Sequence, residues 1–266
     1  MSDEVLKVSR DGAVVTLTID DPATRNSLSK PLARQIVQAC QDIAPDMTVS
    51  CVILTGAGKV FCAGGNIKNM YAKTDIFAGN SADFRRSYLH GVQTITKALY
   101  DLDVPVIAAV NGAAMGAGMD FVAMCTLRIA SEQARFAERF IKLGLTSAAG
   151  GAWFLTRALG SATAAELTLT GDTIDAARAL EIGLVSRVVP HESLLDEARA
   201  LAARIVCHPP HSIRLNTRML REAARLDLPA TLEIGAAMQA IVQQTEDQYE
   251  AVAAVMEKRD PIYRGR

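Results

Sequence analysis

The sequence carries no excess of charge: 28 Lys and Arg stand against 29 Asp and Glu, interspersed along 266 residues, for a formal net charge of −1. That leaves no whole-chain field to hold nucleic acid or an anionic membrane surface. The one basic cluster is terminal, at Lys258-Arg259 and Arg264-Gly265-Arg266. No apolar run approaches the ~20 residues of a spanning helix. Met1-Ser2-Asp3-Glu4-Val5 has neither the basic nor the apolar stretch of a secretory leader, so a cytoplasmic protein is expected. Cysteine motifs are missing too. Cys40, Cys51, Cys62, Cys125 and Cys207 are odd in number and lack the close spacings of zinc or redox sites, so reduced thiols and no metal are expected.

What is present is apolar residue, half of the chain, enough for a large core. Val5 to Val8 and Ala13 to Ile19 alternate around Asp11-Gly12 and predict a hairpin. Ser27-Leu28-Ser29-Lys30-Pro31 supplies a cap and an early proline, and Leu32, Ile36, Val37 and Cys40 then recur at helical spacing to about Ile43. Val52–Gly56, Val106–Val110 and Leu127–Ala130 are short apolar runs, as expected of strands covered on both faces. A long helical pattern runs from Ser81 to Leu102. The weakly patterned Ala72–Asn80 before it is expected to be mobile and to rim a pocket.

Alternating strands and helices imply an α/β fold, a core over residues 1–205. Beyond it, residues 206–266 are almost wholly helical in pattern. Ala236, Met238 and Ile241 there give an apolar face wider than one surface helix needs, which points to packing between subunits.

Two glycine-rich stretches stand out. Cys62-Ala63-Gly64-Gly65-Asn66-Ile67-Lys68 and Asn111-Gly112-Ala113-Ala114-Met115-Gly116-Ala117-Gly118-Met119-Asp120 each follow a β-branched run and each are read as opening a helix. Such turns offer unpaired N–H donors at the positive end of a helix dipole, and two facing each other would make an oxyanion hole. The spacing does not fit a dinucleotide fingerprint, because Gly116-Ala117-Gly118 lacks the third glycine, and no P-loop lysine follows either turn.

In order and spacing, these stretches together with Arg25-Asn26-Ser27-Leu28, Leu143-Gly144-Leu145, Gly150-Gly151, Leu169-Thr170-Gly171-Asp172 and Glu181-Ile182-Gly183-Leu184-Val185 resemble the crotonase superfamily, also called the enoyl-CoA hydratase/isomerase family. The resemblance covers nearly the whole chain. It implies a spiral of repeated ββα units forming two stacked sheets, with a C-terminal helical oligomerisation region and a homotrimer or dimer of trimers. It also implies an acyl-CoA substrate, with coenzyme A entering as part of that substrate and no separate cofactor. The thioester oxygen falls on the N–H groups of Gly65 and Ala117. Contacts to coenzyme A fall on Arg25, Ala63, Gly65, Asn66, Ile67 and Lys68, and Lys258 would reach the nucleotide phosphates of a neighbouring subunit.

Similar hydratases use two glutamates as acid and base. Here the first position is Asp120 and the second is Phe140, which cannot carry a proton; the turn Thr146-Ser147-Ala148-Ala149, acidic in some isomerases, has no carboxylate. Glu138 lies two residues from Phe140. On a helix that is ~200° of rotation and would turn Glu138 away from the site, whereas extended backbone would bring both to one side. The expected mechanism is thus single-carboxylate chemistry at Asp120, which suits a double-bond shift better than hydration. An acyl-CoA binder without turnover and a thioester hydrolase stand as alternatives. Cys62 reads as a buried small hydrophobe rather than a nucleophile.

Overall fold

The computed structural model describes residues 4–266, so the first three residues of the Met1–Val5 stretch lie outside it. The N-terminal alternation folds as its pattern predicts. β1 (Leu6–Asp11) and β2 (Val14–Ile19) pair antiparallel across a two-residue turn, Gly12 taking φ +54°. Val15, Leu17 and Ile19 point into the core. α1 (Lys30–Ile43) starts where the Ser29 hydroxyl accepts the Leu32 N–H at 3.3 Å with Pro31 in the first turn, and it buries Leu32, Ile36, Cys40 and Ile43.

The chain then makes one move three times. β3 (Cys51–Gly56) leads into β4 (Val60–Cys62), β5 (Val106–Val110) into β6 (Ala113–Met115), and β7 (Leu127–Ser131) into β8 (Arg135–Ala137). The first strand of each pair joins a six-stranded sheet, ordered β1-β2-β3-β5-β7-β10 with β10 at Arg187–Val189. The second joins a four-stranded sheet, ordered β4-β6-β8-β9 with β9 at Ile174–Asp175. Only β1 with β2 and β8 with β9 run antiparallel among the paired strands described. This is the expected α/β spiral of ββα units.

Helices fill the intervals. α2 (Ile67–Ala72) is followed by a single turn at Asp75–Phe77, then α3 (Ser81–Ser87) runs through a widened turn at Tyr88–Val92 into α4 (Gln93–Asp101). α5 (Ala117–Met124) is buried along its whole length, and α6 (Gly151–Leu159), α7 (Ser161–Thr170) and α8 (Ala176–Glu181) follow. In the stretch expected to rim a pocket, Ile76 and Phe77 are buried anchors.

The second glycine-rich stretch opens α5 as expected, with β6 intervening between β5 and the helix. Of the two backbone readings left open around Glu138, the extended one holds. Phe136 and Ala137 pair with Ala114 and Met115 of β6, and the ladder bonds of the small sheet set the backbone there; Glu138 continues from an extended strand, and the chain turns only at Arg139-Phe140.

The unbroken apolar strands are covered on both faces. Val52, Leu54, Ala108 and Val110 face the main core. Ile53, Ile107, Ala109 and Ile129 instead meet Leu194, Ala198 and Ala202 of α9 (Leu194–Val206). After α9 come α10 (Pro210–Ala223), α11 (Leu228–Val242) and α12 (Glu246–Glu257). α11 buries no residue, and its Leu228, Leu232 and Ile241 are exposed. No helix among the described residues is long and apolar enough to cross a membrane.

Arg214 and Arg221 both tie α10 to the core, Arg221 by donating to the Tyr100 carbonyl at 2.8 Å and pairing with Asp103 at 2.6 Å. The buried Arg214 guanidinium donates to the carbonyls of Ala44, Asp46 and Val49 at 2.7, 2.6 and 3.1 Å, satisfying acceptors just beyond the end of α1. Arg214→Met keeps the bulk but orphans those carbonyls, and is expected to lower stability by about 3 kcal/mol. In urea denaturation the midpoint should fall with the slope unchanged; an unmoved midpoint would show that the three bonds contribute nothing net.

Candidate active site

The two glycine turns touch. β4 and β6 are parallel neighbours, so the turns that leave them lie at one sheet edge. Gly64 has φ +76°, and a Cβ there would sit 2.4 Å from the Met115 carbonyl oxygen and 3.4 Å from the Ala117 nitrogen. From the other side, a Cβ on Gly118 would sit 2.2 Å from the Cys62 carbonyl oxygen. Any side chain at either position would force the turns apart.

Ala117 opens α5 behind Gly116, whose φ and ψ are +53° and −118°. The first N–H of a helix has no partner inside it. Neither the Ala117 nor the Gly65 N–H donates to a backbone acceptor among the described residues. Two free donors at adjoining turns, one at the positive end of a helix, suit an oxygen that gains negative charge.

A cavity of about 310 Å³ opens at this point. Arg25, Ala63, Gly65 and Ile67 line one side, and Met115, Gly116 and Phe140 the other. A second cavity, about 680 Å³, is walled by Phe77, Phe84, Arg85, Tyr88 and Gln93 and shares Met70, Leu143 and Leu145 with the first. Of the expected coenzyme A contacts, then, Arg25, Ala63, Gly65 and Ile67 are brought together. Asn66 caps α2, accepting from the N–H groups of Lys68 and Asn69 at 3.0 and 3.3 Å. Lys68 lines neither cavity, nor does Lys258, which ends α12 in the left-handed conformation.

Asp120 lies one turn into α5 and is fully buried. Its carboxylate accepts from the Ser147 hydroxyl at 3.2 Å. Gly151 presses against it so closely that a Cβ would lie 1.9 Å from Oδ1. The third neighbour is the one that helical geometry would have turned away: Glu138, also fully buried, lies beside Asp120, and its two carboxyl oxygens meet no donor. Its position follows from the strand. Gly116 donates to the Ala137 carbonyl at 2.7 Å, which holds the residue after β8 beside the start of α5. Beside the expected carboxylate at Asp120 the structure thus places a second buried carboxyl group, that of Glu138.

Burial is the main force on both. It pushes Asp120 up to about 7, with hydrogen bonds from Glu138, Ser147 and the Gly151 backbone opposing it. It pushes Glu138 up to about 10, and the adjacent Asp120 charge acts in the same direction. Burial likewise drives the Cys62 thiol up to about 12, so it is protonated at neutral pH and no nucleophile.

The Phe140 ring comes within 3.4 Å of where a Cβ on Gly116 would be, covering the start of α5. Neither Asp120 nor Glu138 lines either of these two cavities. The segment 145–148 touches both regions: Ser147 reaches Asp120, whereas Thr146 and Ala148 line the larger cavity. Gln93 and Thr96 of α4 hold its end, donating to the carbonyls of Ala148 and Ala149 at 3.0 and 2.6 Å.

Over residues 9–266 the chain matches the sequence profile described as enoyl-CoA hydratase/isomerase. The chain belongs to the enoyl-CoA hydratase/isomerase family. This family member is 34% identical over 261 residues to the 2,3-dehydroadipyl-CoA hydratase of Escherichia coli K12, covering 98% of this chain and 99% of that protein. It is 32% identical to the 1,2-epoxyphenylacetyl-CoA isomerase of the same organism, covering 95% of each. Its crotonase fold superposes on the enoyl-CoA hydratase from Bacillus anthracis with a TM-score of 0.93, at 32% identity over 99% of this chain and 100% of that one.

The tightest packing in this enoyl-CoA hydratase/isomerase site gives a direct test. Gly151→Ala would drive a methyl group into the Asp120 carboxylate and, at 2.6 Å, the Ser147 hydroxyl. Overpacking of this kind should cost ~1–3 kcal/mol. Thermal and urea unfolding read it, and wild-type stability would mean that the carboxylate has room to move aside.

Proposed function

We propose that the protein is an acyl-CoA-processing enzyme in which the N–H groups of Gly65 and Ala117 bind the thioester oxygen and Asp120 is the acid/base. The observation that carries this reading is the pair of unpaired donors at touching turns, with a buried carboxyl one helical turn beyond. Chemistry at Cα or Cγ of an enoyl thioester passes through an enolate, and each donor placed on its oxygen is worth ~2.7–4 kcal/mol. Asp120 takes a proton from one carbon and returns it at another, which is a double-bond shift. Relatives named as hydratase and as isomerase make both reactions worth assaying.

In this reading coenzyme A runs past Arg25, Ala63, Asn66, Ile67 and Lys68, and the acyl group enters the larger cavity. The 145–148 segment or Phe140 has to yield for Cα to reach Asp120. The exposed apolar residues of α11 support a homotrimer or a dimer of trimers, in which Lys258 of a neighbouring subunit reaches the nucleotide phosphates. A cytoplasmic setting accords with five free thiols.

One observation favours a second reading, an acyl-CoA binder without turnover: neither carboxyl reaches the wall of these two cavities. Rate assays with crotonyl-CoA and with 3-enoyl-CoA esters separate the two. Asp120 must be ionised to accept a proton, so kcat/KM is expected to rise with pH through about 7 and then level. Asp120→Asn should lower it by ~10²–10⁴ while calorimetry still shows acyl-CoA binding. Binding by the wild-type protein with no turnover of either ester would leave the binder. Rapid hydration that survives Asp120→Asn would refute the role given to Asp120.

A further inference from the structure

We infer that Glu138 is a positioning residue: its carboxyl group holds the single proton of a buried pair and donates it as a hydrogen bond to the Asp120 carboxylate. This rests on the reading of Asp120 as the acid/base.

Both side chains are wholly buried, and two buried carboxylates side by side cannot both stay charged without a cation. None is there. From β4 comes Cys62, whose thiol stays protonated; from the 145–148 segment, the Ser147 hydroxyl; from the start of α6, the Gly151 N–H. No Lys, Arg or His acts on either carboxyl. The pair therefore retains a proton at neutral pH.

The donors decide which partner carries it. Asp120 accepts from Ser147 and Gly151, and such bonds favour the ionised form. Both Glu138 oxygens are buried with no donor in reach, an arrangement tolerable for a neutral acid and not for a carboxylate. The charge therefore sits on Asp120 and the proton on Glu138, in line between the two.

This gives Glu138 a task in the cycle although it touches no substrate. When Asp120 takes the substrate proton, the C–H bond breaks, its electron pair passes to the enolate, and the carboxyl pair becomes neutral with two protons. Return of one proton to carbon restores the starting pair. Throughout, the Glu138 hydroxyl holds the orientation of Asp120 and keeps it ionised at lower pH than burial alone would allow.

The test is the pH profile of kcat/KM for the wild type, Glu138→Gln, Glu138→Leu and Asp120→Asn. Glu138→Gln can donate the same hydrogen bond, so its acid limb should stay within about half a pH unit of wild type, whereas Glu138→Leu removes the donor and should move that limb up by about one unit or more. Loss of packing alone would alter stability or rate without moving the limb. An unmoved limb in Glu138→Leu, with Asp120→Asn inactive, overturns the role of Glu138 and leaves the Asp120 reading standing. Full activity of Asp120→Asn overturns that reading, and the inference with it. Should Glu138→Leu fail to fold, infrared difference spectra decide: a protonated-carboxyl band at neutral pH that vanishes in Glu138→Gln supports the inference, and its absence from the wild type overturns it.

Discussion

The contacts of Gly64 with the Met115 carbonyl and of Gly118 with the Cys62 carbonyl set what can be built at this sheet edge. Backbone meets backbone there with no side chain between. Because those turns touch, backbone from distant parts of the chain meets at one point, and Gly65 and Gly116 line the same cavity. Parallel β4 and β6 bring the turns to one edge, and glycine lets them close the remaining distance. The rest of the fold holds that contact in place. The strands behind it are buried on both faces, and α9 covers the far side of the large sheet.

Behind the donors the protein does something less economical, placing two carboxyl groups in a region that water does not reach. Desolvation raises both, and each limits what the other can do. A carboxylate near neutrality is well matched to moving protons at carbon. The second carboxyl arrives from the end of β8, two residues before Phe140.

Much of this was legible in the chain. Ser29 with Pro31 marked the start of α1, the unbroken runs at 52–56 and 106–110 marked strands buried on both sides, and the glycine stretches marked the turns. The place of Glu138 stayed open between helical and extended backbone, because what decides it, three ladder pairs between β8 and β6, is a contact distant in the chain. A signal was available. Gaps of two or three residues separate β3 from β4 and β5 from β6, and the same interval after β7 points to β8. Internal repetition was the better guide where local pattern failed. Side-chain contacts such as Arg214 on the carbonyls after α1 join residues about 170 positions apart, and no local pattern records them.

The two cavities are made by different parts of the spiral. The smaller is lined by the two turns together with residues 139–145, while most of the larger comes from residues 70–93, the long excursion between β4 and β5, closed by 143–148. That excursion pairs with no strand. It can therefore change length or lining without disturbing the contact that aligns the donors. One scaffold can in this way hold its touching turns fixed while the shape of the larger cavity beside them drifts freely.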